Sequence, residues 1–197
     1  MKKRLPGFTL MELLIVIGVL GILAVGLLAA IDPFEQLKKA RDTNNRNATI
    51  ELLSALQRFY ADHGSLPWNM QTYAAICSRN AGQPLDGFGN ITNAAMSMQD
   101  AKLSGCVMGS LVPDGELKQT YLSGIGGTNI FVGSDPADKT DVVVCFEPES
   151  KSNKTDLSTK YLVNNLAGGM YSIVEQTGVI PLNACPRLNG DCAQCFK

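Results

Sequence analysis

The side chains able to do chemistry are few and scattered. Six cysteines stand at Cys77, Cys106, Cys145, Cys185, Cys192 and Cys195. Thiols in that number can form disulfides, hold a metal or act as nucleophiles, and their spacing separates the three. A tetrahedral metal site commonly uses two close cysteine pairs, or cysteines with histidines. Here Cys192-Ala193-Gln194-Cys195 is the single close pair, and His63 is the sole histidine. The pair has thioredoxin-type spacing, but it stands at the end of the sequence rather than at a strand-to-helix junction, which argues against redox catalysis. A disulfide set is the simplest reading, with one bond expected between Cys185 and either Cys192 or Cys195. Asp135, Asp138 and Asp141 could offer oxygens to Ca²⁺, though their spacing is not an EF-hand loop and better suits a solvated turn. Gly124-Ile125-Gly126-Gly127 lacks the spacing of a dinucleotide fingerprint and reads as a loop. His63, beside Gly64, suits a helix end near the negative dipole. No nucleophile, base and orienting group recur together, so no enzyme is expected and no catalytic residue is assigned.

Glu12 is the exception in chemical terms. It lies in GFTLMELLIVIGVLGILAVGLLAAI, from Gly7 to Ile31, and no charged residue follows it until Asp32. As a helix, the uncharged run from Leu13 to Ile31 covers roughly 28 Å, close to a bilayer core of about 30 Å. A carboxylate there costs on the order of 2.5 to 3.5 kcal/mol by insertion scales. No Lys, Arg or His occurs between Arg4 and Lys38, so the helix itself offers no cation within a turn. Cleavage between Gly7 and Phe8 would create an α-amino group, largely protonated near neutral pH, that a neighbouring copy could present to Glu12.

The surroundings fit export. Lys2, Lys3 and Arg4 precede the apolar run and hold the N-terminus in the cytoplasm by the positive-inside rule. Without those three charges the net charge passes from -1 to -4, which leaves no basic surface for nucleic acid. An ordinary secretory signal has an apolar region of about 7 to 15 residues, shorter than this one.

Basic leader, Gly7, Phe8-Thr9-Leu10-Met11-Glu12 and a long apolar helix together resemble the class III signal of type IV pilins and type II secretion pseudopilins. The resemblance implies that a membrane prepilin peptidase cuts after Gly7 and methylates Phe8, and that Glu12 takes the family's assembly position. The proline common in the second half of that membrane segment is absent; Gly18, Gly21 and Gly26 stand there instead. The segment LKKARDTNNRNATIELLSALQRFYADHGSLP is similar to the stem helix of major pseudopilins, which extends the likeness to about the first 67 residues. Some major pseudopilins use Ca²⁺ near the end of the head, which would engage Asp135, Asp138 and Asp141. The resemblance implies a homo-oligomeric filament, assembly machinery and a bilayer as partners. It also implies a single-pass membrane precursor with an exported head that becomes an extracellular or periplasmic filament.

The expected fold is α+β, a long N-terminal helix packed on a small antiparallel sheet. The expected divisions are a leader at 1–7, a membrane and assembly helix at 8–31, an amphipathic stem at 32–66 and a head at 67–197. Asp32, Pro33 and Glu35 suit a helix start. Thr49, Leu52, Leu53, Leu56, Phe59 and Tyr60 make an apolar stripe, and Arg41 to Asn47, polar nearly all round, reads as a neck between membrane and head. Gly64 and Pro67 stop the helix. Trp68 to Arg79 is compatible with a short helix between stem and sheet, and Met96 to Leu103 is equally ambiguous. Strands are expected at Asn129–Val132, Val142–Phe146, Tyr161–Val163 and Met170–Val174, and an irregular tail from Pro181. Two other readings compete with the filament subunit: a monomeric signal-anchored surface protein with a disulfide-stabilised head, and a conventionally secreted disulfide-rich domain.

Overall fold

The computed structural model describes residues 7–30, 32–80, 83–84, 94–125, 128–134, 141–159, 161–166, 170–175 and 190–197. The chain divides into two compact units, Met1–Leu37 and Lys38–Lys197.

In the first unit, α1 runs from Leu10 to Ala30. Leu, Ile, Val and Ala fill it, it is apolar all round, and none of the window Leu10–Leu27 is buried. A helix without a polar face has no reason to lie on a watery surface, and one of this length and composition can cross a membrane. The next helix, α2, runs from Pro33 to His63. Its start is capped by Asp32, whose Oδ1 accepts from the Phe34 amide at 3.1 Å and the Glu35 amide at 3.3 Å, while Pro33 fills a position where no N–H is needed.

In the second unit, the part of α2 from Lys38 onward buries Thr49, Leu52, Leu53, Ala55, Leu56 and Phe59, leaving Tyr60 half-buried. The stripe extends a further two turns towards the N-terminus than apolar residues alone suggest, because Asp42 and Asn45 are buried as well. The segment 41–47 is therefore not a solvated neck all round: one face of it is packed. Gly64, at φ +70°, ends the helix in the left-handed conformation that favours glycine, and its N–H donates to the Tyr60 carbonyl at 2.7 Å.

Two 3₁₀ turns, Pro67–Asn69 and Gln71–Tyr73, follow. Next come a small hairpin, β1 (Ser78–Asn80) with β2 (Gln83–Pro84), and then β3 (Ala94–Ser97). The ambiguous stretch proves to be both strand and helix. After β3, Asp100 accepts from the Lys102 amide at 2.8 Å and starts α3 (Ala101–Leu111). A short α4 (Tyr121–Gly124) leads to β4 (Ile130–Ser134) and β5 (Val142–Phe146). The chain ends with α5 (Lys151–Lys154), β6 (Tyr161–Leu166), β7 (Met170–Glu175) and β8 (Gly190–Phe196).

The architecture is α+β, and the antiparallel sheet closes on itself in the order β3-β4-β5-β8-β6-β7. The four expected strands are present, and β8 corrects the expectation of an irregular tail. It pairs with β5 through Cys145↔Cys195 and with β6 through Leu162↔Cys192, sealing the sheet between them. Closure leaves no free edge among these strands. Alternation then sorts the side chains. One face gathers a buried residue from each strand: Ala95, Phe131, Cys145, Val163, Ile173 and Ala193. Small alanines beside Phe131, whose ring meets Tyr171 edge-on at 4.7 Å, let so narrow a barrel close. The other face of β4 and β5 presents Ile130, Val132, Val142, Val144 and Phe146 to α2 and α3. The run Val142 to Phe146 is apolar without a break because both its faces are covered.

Candidate functional site

Gly7, Phe8 and Thr9 lie outside any helix and are exposed, Phe8 at 77%. The Thr9 carbonyl accepts the first intrahelical bond from the Leu13 amide at 3.2 Å. Its hydroxyl Oγ1 accepts from the Glu12 amide, also at 3.2 Å. Thr9 is thus the N-cap of α1 and Glu12 its third residue, the Thr-x-x-Glu spacing of a capping box. Glu12 also sits where a carboxylate complements the positive end of the helix dipole. The expected cleavage, methylation and assembly residues Gly7, Phe8 and Glu12 therefore stand within six consecutive positions, at the boundary between irregular chain and apolar helix. An unbroken apolar surface follows them as far as Leu27.

A second constellation is structural and was not legible as a site. Asp42, with 1% exposure, receives four hydrogen bonds from the loop after β5. Its Oδ1 accepts from the Glu149 amide at 2.7 Å, and its Oδ2 from the Ser150 amide at 3.0 Å, the Ser150 hydroxyl at 2.6 Å and the Asn153 side-chain amide at 2.8 Å. A carboxylate taken out of water needs such compensation, and here it ties residues 149–153 to α2. Arg41 adds an exposed ion pair to Glu149 at 3.3 Å. The available signal was the spacing 42, 45, 49, 52, which continues the buried stripe through polar residues.

Of the two partners expected for Cys185, Cys195 is ruled out. Cys77 is bonded to Cys106 and Cys145 to Cys195, with Cα separations of 4.6 and 4.1 Å. Cys195 thus lies opposite Cys145 on the neighbouring strand and is not a partner for Cys185. Cys192 is also disulfide-bonded, while Cys185 lies outside the described residues. Asp135 and Asp138 lie outside them too, and Asp141 stands 3.8 Å from the Lys197 ammonium. Gly124 ends α4, whereas Gly126 and Gly127 are not among the described residues. Among the described residues no group of His, Cys, Asp and Glu is arranged to hold a metal ion. His63 closes α2, stacks on Phe59 at 4.2 Å and stands with Nε2 3.4 Å from Asp114.

No curated protein and no solved structure matches the chain significantly. One family does: residues 3–28 match the family described as the prokaryotic N-terminal methylation motif. That motif is a processing signal rather than an enzyme family, and it covers Lys3 and Arg4 of the basic leader, the Gly7–Phe8 bond, Glu12 and the apolar helix as far as Leu28. The chain carries the prepilin-type class III signal of type IV pilins and pseudopilins.

Proposed function

We propose that the protein is a structural subunit of a type IV pilus-like or type II secretion pseudopilus filament. Prepilin peptidase removes residues 1–7 and methylates Phe8, the precursor waits in the bilayer with its head exported, and the assembly machinery draws α1 out of the membrane into the filament. The observation that carries this reading is Glu12 in the methylation motif, on a helix whose surface is otherwise apolar and wholly exposed. A monomeric anchor gains nothing from that carboxylate. In a filament the Phe8 amine of an adjacent subunit neutralises it, and the low dielectric of the packed helices strengthens the pair while desolvation takes back much of the gain. Its chief effects are then register and recruitment.

Glu12→Val separates the two readings. The variant is inserted and cleaved as the wild type but enters filaments poorly, more mildly so when wild-type subunits are co-expressed. The ratio of sheared filament to membrane fraction by immunoblot measures this, and an unchanged ratio removes Glu12 from assembly. Replacing Gly7 by a bulky residue leaves the leader attached and stops filament growth. Normal filaments from an uncleaved chain would falsify the prepilin reading.

A further inference from the structure

The helix begins two residues beyond the Gly7–Phe8 bond, and a single side chain sets its start. Thr9 supplies two acceptors to the first turn of α1, its carbonyl to Leu13 and its hydroxyl to Glu12. The sequence contains a rival start one turn earlier, since Pro6 suits the first position of a helix. Every helix start leaves its first N–H groups without intrahelical acceptors, and the two ways to lessen that cost here are a capping side chain at Thr9 or a start at Pro6, which has no N–H to satisfy. Extended to Pro6, the helix would enclose the Gly7–Phe8 bond in its first turn and commit the Gly7 carbonyl to an intrahelical hydrogen bond. Hydrolysis needs that carbonyl free. Water oxygen adds to the Gly7 carbonyl carbon, the C–N bond breaks, the protons pass to the Phe8 nitrogen, and the leader departs with a new carboxyl group.

We infer that Thr9 is a positioning residue for this cleavage: as N-cap it fixes the start of α1 at Leu10 and keeps the Gly7–Phe8 bond extended and open to the peptidase. The inference rests on the reading of Gly7–Phe8 as the processing site, and it assigns Thr9 no contact with the reacting atoms.

The test uses the full-length chain in detergent micelles with purified prepilin peptidase. Thr9→Val keeps the side-chain shape but has no acceptor, whereas Thr9→Asn changes the shape and remains a strong N-cap. If capping alone is at work, loss of the cap shifts the ratio of open to helical Gly7–Phe8 by about fivefold towards helix, which raises KM by up to that factor and leaves kcat unchanged. Thr9→Asn is cleaved like the wild type. In the same samples the ¹³Cα shift of labelled Phe8 moves towards helix in Thr9→Val and stays in place in Thr9→Asn. Three results overturn the inference: a wild-type KM for Thr9→Val, a Thr9→Asn as slow as Thr9→Val, or a slow Thr9→Val whose Phe8 shift has not moved. If the wild-type chain is not cut between Gly7 and Phe8, the processing reading falls and this inference with it; if it is cut, those three results bear on the cap alone.

Discussion

Replacing Asp42 by alanine removes the acceptor for four donors at 2.6 to 3.0 Å and leaves Ser150, which has no exposure, with its amide stranded and its hydroxyl with Ser152 Oγ at 3.5 Å in place of the carboxylate. Hydrogen bonds to a charged group contribute about 1.5 to 3 kcal/mol each, and a stranded buried donor costs about 1 to 3 kcal/mol. The four are not additive, because the loop can shift and admit water once the carboxylate is gone. A loss of about 3 to 5 kcal/mol is therefore expected, a large part of the roughly 5 to 15 kcal/mol that holds a domain together. Asp42→Asn should be milder. With its amide oxygen in the place of Oδ2, three donors keep their acceptor and only the Glu149 amide faces an NH₂ group, for about 1 to 3 kcal/mol. Trp68, the only tryptophan and 1% exposed, reports unfolding by its fluorescence in urea, with the full chain in micelles. If Asp42→Ala shifts stability by less than Asp42→Asn, or by under about 0.5 kcal/mol as at an ordinary surface site, Asp42 does not tie the loop to α2.

Other consequences can be checked in the same assay. The Cys77–Cys106 and Cys145–Cys195 bonds span 29 and 50 positions, so a chain-entropy estimate gives about 4 kcal/mol for each. Denatured, unreduced protein should show no free thiols, and six would overturn the disulfide framework. Burial, and then the Glu51 carboxylate, push the Tyr121 pKa up, and its hydroxyl donates to the Ala48 carbonyl at 3.0 Å. Because the folded value is the raised one, the unfolded chain loses this proton first. The stability it confers is complete below about pH 10 and falls as pH rises further. Tyr121→Phe should flatten that alkaline loss, and an unchanged slope would assign it elsewhere. Gly105→Ala, with open space at its Cβ inside α3, should stabilise by about 0.5 to 1 kcal/mol. Gly64→Ala, at φ +70°, should destabilise by about 1 kcal/mol.

The apolar run of α1, the cap at Asp32 and the apolar stripe from Thr49 to Phe59 were legible because each depends on local chemistry: an uncharged stretch of bilayer length, a capping oxygen beside a proline at a helix start, a three- and four-residue rhythm. Val142 to Phe146 was legible because a run of β-branched residues has little other use. What escaped depends on distant partners. Asp42 looked like a solvated charge until the loop at 149–153 supplied its donors. Gly190 to Phe196 carries Asp, Gln and two cysteines, and it becomes a strand because β5 and β6 leave a gap that it fills and a disulfide holds it there. The start of α3 was obscured for a similar reason: the Gly and Ser within it weaken helix propensity, and burial of Leu103, Cys106, Val107 and Leu111 in the core decides the matter.

The central claim is that the molecule is made as a prepilin and matures at Phe8. Mass analysis of the N-terminal peptide, from native protein in both the membrane and the sheared-surface fractions, tests it most directly. The expected peptide begins at Phe8 and carries an N-methyl group in both fractions. A peptide that still begins with the Lys2-Lys3-Arg4 leader, or one that begins near Ile31, would contradict it.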